Sequence, residues 1–86
     1  MVTIKYYIDD EALRPLYADS QCAGMDVRSG ESCVVKAGGS VSVTTGLRVH
    51  IPDGYVGYIK GRSGLNHRCS IVVPDGTIDS GYTGYI

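Results

Sequence analysis

Hydrophobic and polar residues alternate in three short segments of the chain. Apolar side chains occupy every second position of Val2–Tyr6, Ser40–Thr44 and Leu47–Ile51. Such alternation is typical of a β-strand with one face against the core and the other in solvent. We therefore predict a strand in each segment. Tyr82–Ile86 has the composition of a further strand that is just beginning.

Turn-forming sequences lie between these segments. Lys36–Gly39, Pro52–Gly54 and Pro74–Gly76 contain proline, whose φ is fixed, or glycine, whose φ is permissive. Asp9–Leu16 is the only segment in which we predict a helical turn, and Pro15 limits its length. Short strands separated by frequent turns predict an all-β barrel or sandwich with little helix.

The composition supports this fold class. The chain has 86 residues with twelve glycines and three prolines, and beyond Arg14 its longest stretch without either is Leu65–Val73. Average helices need about 11–12 residues. A helical bundle and a doubly wound α/β fold are therefore excluded, because both need several full helices. We predict a single domain over residues 1–86.

The charges and cysteines exclude several classes of function. Eight Lys and Arg against nine Asp and Glu give a net charge of −1 without a basic run, which argues against nucleic-acid binding. No apolar run reaches the length of a membrane span, and no signal segment follows Met1. We expect no membrane partner and a location in the cytoplasm, or in the nucleus or a virus-infected cell's interior, without secretion. The cysteines are odd in number and lack metal-type spacing, which predicts free thiols.

Three segments are rich in Gly, Asp, Ser and Arg, namely Ala23–Ser29, Gly61–Leu65 and Gly76–Gly84. Each of them alone is explained by a tight turn. Together they describe a phosphate site, because Arg62 supplies a forked cation and Ser63 a small hydroxyl. Glycines beside them, among them Gly64, let backbone amides approach anionic oxygens closely.

Two carboxylates and a tyrosine complete this set. Asp26 and Asp79 are suited to hold a hydrated Mg²⁺ or to activate water beside phosphates. Tyr82 follows Asp79 by three residues in a glycine-flanked turn. Its ring is suited to lie flat against a sugar or base, although the pattern alone fits a core tyrosine nearly as well.

The three segments read AGMDVRS, GRSGL and GTIDSGYTG. They resemble, in order and spacing, the first three of the five motifs of the trimeric dUTPase family, and the resemblance covers nearly the whole chain. It implies a dUTPase-like β-clip, a jelly roll, and hydrolysis of dUTP to dUMP and pyrophosphate with Mg²⁺ as cofactor. It also implies a homotrimer with shared active sites. Because the fourth and fifth motifs do not follow, we expect an incomplete jelly roll, truncated at its C-terminal side.

The resemblance implies a role for each matched residue. Asp79 would deprotonate the water that attacks the α-phosphate, and Asp26 would hold Mg²⁺ through water. The residues that would contact the triphosphate are Arg62, Ser63 and Gly64.

The third motif would recognise the nucleoside. The backbone of the hairpin around Gly76, including Ile78, would read the uracil edge, so that unpaired polar groups reject cytosine. Tyr82 would stack under the deoxyribose and exclude a 2′-hydroxyl. Two departures from the family pattern occur here: Gly61 stands where many members have proline, and Pro74 lacks an amide hydrogen in this hairpin.

Three functions remain open from the sequence. The first is a dUTP diphosphatase that needs the missing C-terminal motifs for activity. The second is a catalytically impaired nucleotide-binding or regulatory module of the same fold, and the third is a relative of the dCTP deaminases. His67 and Arg68 follow the second motif and are close enough in sequence to reach phosphate, but we expect them in a solvated loop.

Overall fold

The computed structural model describes residues 2–86 of the chain. Its elements in chain order are β1 (Lys5–Ile8), a 3₁₀ helix (Glu11–Leu13), β2 (Leu47–His50), β3 (Gly57–Ile59), α1 (Ser63–Cys69) and β4 (Gly76–Ile78). β1 pairs with β2, and β3 pairs with β4. Short strands with little helix confirm the predicted all-β class. Neither helix of residues 2–86 has the length and apolarity that a bilayer span requires.

The chain divides into two compact units. The hairpin unit comprises His50–Tyr82 and the N-terminal residues up to Ile4, and the loop unit comprises Lys5–Val49 and Thr83–Ile86. The hairpin unit is named for its antiparallel strand pair, whereas the loop unit consists largely of turns and irregular chain.

The hairpin unit is built around two isoleucines. β3 and β4 pair with Gly57 opposite Ile78 and Ile59 opposite Gly76. Ile51 and Ile78 are buried, with exposed fractions of 5% and 8%. A Cβ atom placed on Gly57 would lie 3.2 Å from Ile51 Cδ1 and 3.2 Å from Ile78 Cβ. Glycine at position 57 therefore serves packing, because the two isoleucine side chains occupy the space that a Cβ atom would need.

The loop unit is held largely by backbone hydrogen bonds around β2. The Asp9 amide donates to the Gly46 carbonyl at 3.0 Å, and the Ile86 amide donates to the Leu47 carbonyl at 2.9 Å. Leu47 is the buried large hydrophobic residue of this unit. Gly46 has a φ of +63°, a conformation that favours glycine. Distant segments of the unit thus meet at the start of β2.

Arg48 on β2 lies between two aromatic rings. Its Cζ is 5.4 Å from the centre of the Tyr7 ring and 5.5 Å from that of Tyr85, within cation–π range. The Tyr85 hydroxyl donates to Asp9 Oδ1 at 2.9 Å. This bond, together with the Asp9 charge and partial desolvation, raises the pKa of Tyr85, and the Arg48 charge opposes the change. Arg14, which pairs with Glu11, makes a similar contact with the Tyr6 ring.

The strand predictions are confirmed in part. β2 coincides with the predicted strand at Leu47–Ile51, and β1 lies later in the chain than the predicted Val2–Tyr6. The prediction of a strand over Ser40–Thr44 is wrong. Its alternating valines are exposed, and the Thr44 carbonyl accepts a hydrogen bond from Gly30 outside any strand. Alternation indicates which side chains suit a dry face, but a strand also needs a partner backbone.

The prediction of a strand at Tyr82–Ile86 is also wrong, since these residues form bends and irregular chain. The predicted turn at Pro52–Gly54 is confirmed, with the Tyr55 amide donating to the Pro52 carbonyl at 3.1 Å. Pro74–Gly76 is not a turn, because Gly76 is the first residue of β4.

The prediction that Asp9–Leu16 alone has helical character is wrong as well. That segment contains the 3₁₀ helix, but α1 follows β3 and extends through Gly64 to Cys69. It ends at Ser70, whose φ of 55° is left-handed and whose amide donates back to Asn66 at 3.0 Å. Glycine disfavours helix formation but does not prevent a helix that is only two turns long. His67 and Arg68 therefore lie on a helix and not in a loop.

Much apolar surface of the chain is exposed. A folded monomer of this mass, 9.2 kDa, has an accessible surface of about 4,900 Å². The chain instead exposes 7003 Å², and twenty large hydrophobic side chains of residues 2–86 are exposed. Exposed apolar surface of this extent is typical of proteins that have interaction partners.

Candidate functional site

The residues of the second motif lie at the start of α1. Arg62 is extended, with φ −81° and ψ 133°, and immediately precedes the helix. Ser63 and Gly64 are the first two residues of α1. All three therefore follow β3 closely, and the change from extended to helical backbone at Arg62 fixes where their backbone amides point.

A cavity of about 210 Å³ lies against this helix, lined by Arg62, Gly64, Leu65, Arg68 and Cys69. Pockets for whole small molecules usually measure roughly 300–1,000 Å³. The cavity therefore suits one portion of a nucleotide. Two guanidinium groups line it, and such planar forks match the oxygens of phosphate.

The loop before Arg62 is held against the chain that leads into β4. Lys60 Nζ lies 3.6 Å from Asp75 Oδ2, and a Cβ on Gly61 would lie 3.1 Å from the Val73 carbonyl oxygen. Glycine at position 61 thus permits a close backbone approach, which gives this departure from the family pattern a physical reason. Gly76, opposite Ile59, begins β4 at this same end of the strand pair.

Asp79 and Tyr82 lie at the other end of β4. Asp79 follows the buried Ile78 directly, and its carbonyl accepts a hydrogen bond from the Tyr82 amide at 3.1 Å, closing a turn. Both side chains are exposed. Gly76 and Ile78 are separated by two strand steps, or about 7 Å. The structure therefore groups Asp79 with Tyr82, and groups Arg62, Ser63 and Gly64 with Gly76.

Asp26 belongs to the loop unit. It forms an isolated antiparallel bridge with Leu16, in which the Asp26 amide donates to the Leu16 carbonyl at 2.8 Å and the reverse bond measures 3.2 Å. The residue is partly buried. Its backbone is therefore fixed by two hydrogen bonds although it lies outside any strand.

The acidic residues do not form a metal cage. Within residues 2–86, no group of three His, Cys, Asp or Glu side chains is arranged to hold a metal ion. Mg²⁺ is usually bound through one or two carboxylates, several waters and substrate phosphates. The single carboxylate of Asp26 is compatible with a hydrated ion of that kind and not with an ion enclosed by protein alone.

Arg68 is the residue whose position the sequence did not predict. It was expected in a solvated loop, yet it lies in the last turn of α1 and lines the cavity with Arg62. Residues four apart share one face of a helix, so Gly64 and Arg68 are neighbours. That spacing is readable in the sequence only once a helix is assigned there.

Comparison with known proteins identifies the family. The family model for dUTPase matches residues 10–86. The deoxyuridine 5′-triphosphate nucleotidohydrolase of Cutibacterium acnes is 47% identical over 74 residues, which are 84% of this chain and 49% of that protein. The protein of the same name from Streptomyces avermitilis is 38% identical over 81 residues, covering 92% of this chain and 46% of that protein. The chain thus spans about half the length of these curated relatives.

Solved structures agree with the sequence matches. A mutant dUTPase of Staphylococcus bacteriophage 80alpha with dUpNHpp superposes with a TM-score of 0.90 at 31% identity, covering 100% of this chain and 52% of that one. A mutant dUTPase of phage phi11 of S. aureus, described with a structural Mg(II) ion, gives a TM-score of 0.90 at 32% identity and covers 99% and 56%. These matches confirm the predicted β-clip or jelly-roll fold. The chain belongs to the dUTPase family.

Proposed function

We propose that the protein hydrolyses dUTP to dUMP and pyrophosphate. The observation that carries the proposal is the turn at the end of β4, in which Asp79 and Tyr82 are joined by a 3.1 Å hydrogen bond and both side chains are exposed. A water-activating carboxylate beside an aromatic ring suits a deoxynucleotide. The names of the relatives and the dUTP analogue in the 80alpha structure support this substrate.

Asp79 is the general base of the proposed reaction. Its carboxylate takes a proton from a water molecule as the water oxygen bonds to the α-phosphorus. The bond from that phosphorus to the bridging oxygen breaks, and pyrophosphate leaves. Because Ile78 is buried and paired with Gly57, the backbone that carries Asp79 is anchored one residue away from the base.

The triphosphate is bound by the second motif. Arg62 contributes a fixed positive charge, Ser63 a hydroxyl and Gly64 a backbone that phosphate oxygens approach closely. These residues lie at the start of α1, beside the cavity that is sized for part of a nucleotide. Stabilising charge on the phosphates is the main task of a protein in such a reaction.

The third motif selects the nucleoside. Backbone groups of Gly76 and Ile78 pair with the uracil edge, and the Tyr82 ring packs under the sugar where a 2′-hydroxyl would clash. Pro74 lies outside β4, so its missing amide hydrogen does not interrupt the strand that carries Gly76 and Ile78.

Asp26 is the residue proposed to hold Mg²⁺, through a water ligand. When bound, the ion would neutralise charge on the phosphates. The mutant dUTPase of phage phi11 coordinates a structural Mg(II) ion, and this relative supports magnesium as the metal of the present chain.

The active unit is proposed to be a homotrimer whose sites are shared between subunits. Support comes from the position of the motifs, because Arg62 and Gly76 lie at one end of β4 and Asp79 and Tyr82 at the other. A site that needs both ends is completed when a second copy supplies the missing part. The exposed apolar side chains provide surface for such contacts.

The Asp79→Asn variant tests the proposed function. Removing the base lowers pyrophosphate release from dUTP about 10²- to 10⁴-fold, while affinity for dUpNHpp stays within about tenfold. The matched control is Asp53→Asn, which changes an exposed carboxylate in the turn after Pro52. Both proteins are assayed with dUTP, dCTP and UTP.

Three outcomes contradict the proposal in different ways. Retained turnover in Asp79→Asn contradicts the base assignment. Equal rates with dUTP and dCTP contradict uracil recognition by the third motif. If the unaltered protein binds dUpNHpp tightly but releases no pyrophosphate from dUTP, the protein is a nucleotide-binding module and not an enzyme.

A further inference from the structure

Arg68 faces the same cavity as Arg62. Both line its wall with Gly64 and Leu65, and Arg68 reaches it from the last turn of α1. Two positive charges at one small cavity repel each other unless an anion lies between them. The cavity therefore has the electrostatic character of a site for a multiply charged anion.

Gly64 provides the space in which the Arg68 side chain lies. A Cβ on Gly64 would be 3.1 Å from Arg68 Nη2 and 3.8 Å from both Cζ and Nε. The guanidinium group thus lies over the Cα of Gly64, one helical turn away. An alanine at position 64 would shift Nη2 by a few tenths of an ångström, because 3.1 Å is closer than most Cβ contacts.

Arg68 has no competing protein partner in the part of the chain that the structure describes. The backbone amide of Arg68 belongs to α1. Within residues 2–86 its guanidinium group forms neither an ion pair nor a hydrogen bond. Its donors are therefore available to a ligand, and a fork of such donors binds phosphate oxygens in pairs.

We propose that Arg68 is a second phosphate-binding cation beside Arg62, and that glycine at position 64 leaves room for its guanidinium group to lie against the first turn of α1. The inference rests on the proposed function for the identity of the nucleotide. The chemistry of the site itself requires only a di- or triphosphate. Because the guanidinium group lies over Gly64, the added charge is close to Ser63 at the start of α1.

Calorimetry with Arg68→Gln and Arg68→Lys tests the assignment. The probes are deoxyuridine, dUMP, dUpNHpp and inorganic tripolyphosphate. Arg68→Gln is expected to weaken the binding of dUpNHpp and of tripolyphosphate about tenfold, or about 1.4 kcal/mol, without changing the affinity for deoxyuridine. Arg68→Lys recovers part of the loss because it keeps the charge without the fork. The control is His67→Gln, an exposed neighbour on α1 that does not line the cavity.

A double-mutant cycle tests the role of the glycine. Gly64→Ala alone is expected to weaken tripolyphosphate binding about fivefold. The substitution does not destabilise α1, because alanine favours helix. In the Arg68→Gln background the same change causes a smaller loss, because the group that it shifts is gone, and the loss that remains measures the approach of phosphate to the Gly64 backbone. Additive losses would overturn the proposed reason for glycine.

The outcomes separate this inference from the proposed function. Equal tripolyphosphate affinity in the unaltered protein and Arg68→Gln, including no binding by either, overturns the role of Arg68. A loss of equal size for deoxyuridine overturns it too, because it reveals a structural role. A phosphate-dependent loss in a protein that does not prefer dUTP over dCTP supports the role of Arg68 while contradicting the proposed function.

Discussion

The hairpin unit and the loop unit are stabilised by different interactions. In the hairpin unit, Ile51 and Ile78 pack on Gly57, and the strand pair fixes the register. In the loop unit, distant segments are joined by hydrogen bonds to Gly46 and Leu47 and by aromatic contacts of Arg48. Apolar packing and backbone hydrogen bonds are insensitive to pH, whereas the contact between Tyr85 and Asp9 depends on protonation of the phenol.

The difference bears on the candidate site. Of the proposed site residues, all but Asp26 belong to the hairpin unit, where β3, α1 and β4 position them. The backbone of Asp26 is positioned by a two-bond bridge with Leu16. The nucleotide-contacting residues therefore depend on apolar packing, and the proposed metal-associated carboxylate depends on backbone hydrogen bonds.

Ile78→Ala is the substitution expected to destabilise the chain most. Truncating a buried isoleucine removes apolar contacts and leaves a cavity, which lowers the free energy of unfolding by about 3 kcal/mol. Urea unfolding measures the change. Val72→Ala is the control, since Val72 is 71% exposed and its truncation is expected to change stability by less than about 0.5 kcal/mol. Equal losses would show that the isoleucine pair is not the core of the hairpin unit.

Gly46→Ala tests the loop unit in the same way, with an expected loss of about 2 kcal/mol. The new Cβ would lie 2.5 Å from Leu13 Cδ1, at a residue whose φ is +63°. Gly38→Ala separates the two causes. Gly38 also has a positive φ, +74°, but no atom lies near its Cβ position, so only backbone strain of about 1 kcal/mol is expected. If Gly38→Ala destabilises the chain as much as Gly46→Ala, the contact with Leu13 does not contribute to the loss of stability.

Tyr85→Phe is expected to have the smallest effect, and one that depends on pH. The folded chain raises the pKa of Tyr85 chiefly through its hydrogen bond to Asp9. A raised pKa means that the stabilisation is complete below the ordinary tyrosine value of about 10 and is lost as pH rises through the folded value. Unfolding measured from pH 8 to 11 should therefore show the unaltered protein losing its advantage over Tyr85→Phe.

The control for this pH series is Tyr17→Phe. Tyr17 is exposed in the same unit. A stability difference between the unaltered protein and Tyr85→Phe that does not change with pH would exclude the Asp9 bond as the source of the effect.

Local chemistry explains which elements were predictable. The turn at Pro52–Gly54 depends on a few residues and is confirmed, as is the strand at Leu47–His50, which finds β1 as its partner. The alternation at Ser40–Thr44 is equally regular, yet no strand forms there. Pairing depends on segments far apart in the chain, and no local pattern contains that information.

The family was predictable from the motifs, whereas the geometry of the candidate site was not. The residue types of the three segments led to the family, which the comparisons confirm. Arg68 was missed because Gly64 lowers helix propensity, although the same glycine provides the space for the Arg68 side chain. The separation of Gly76 from Asp79 along β4 also required the strand to be seen, because the sequence had placed both near a hairpin turn.

The register of β3 and β4 has a consequence for how this sequence can vary. Each large residue faces a missing side chain on the other strand, with Ile78 opposite Gly57 and Ile59 opposite Gly76. A Cβ on Gly57 would lie 3.2 Å from Ile78 Cβ, so at this pair enlarging one residue is tolerated only if the other shrinks, and we expect the pair to evolve as a unit of constant volume. Because Asp79 follows Ile78, substitutions that preserve this volume also preserve the position from which the proposed base leaves the strand.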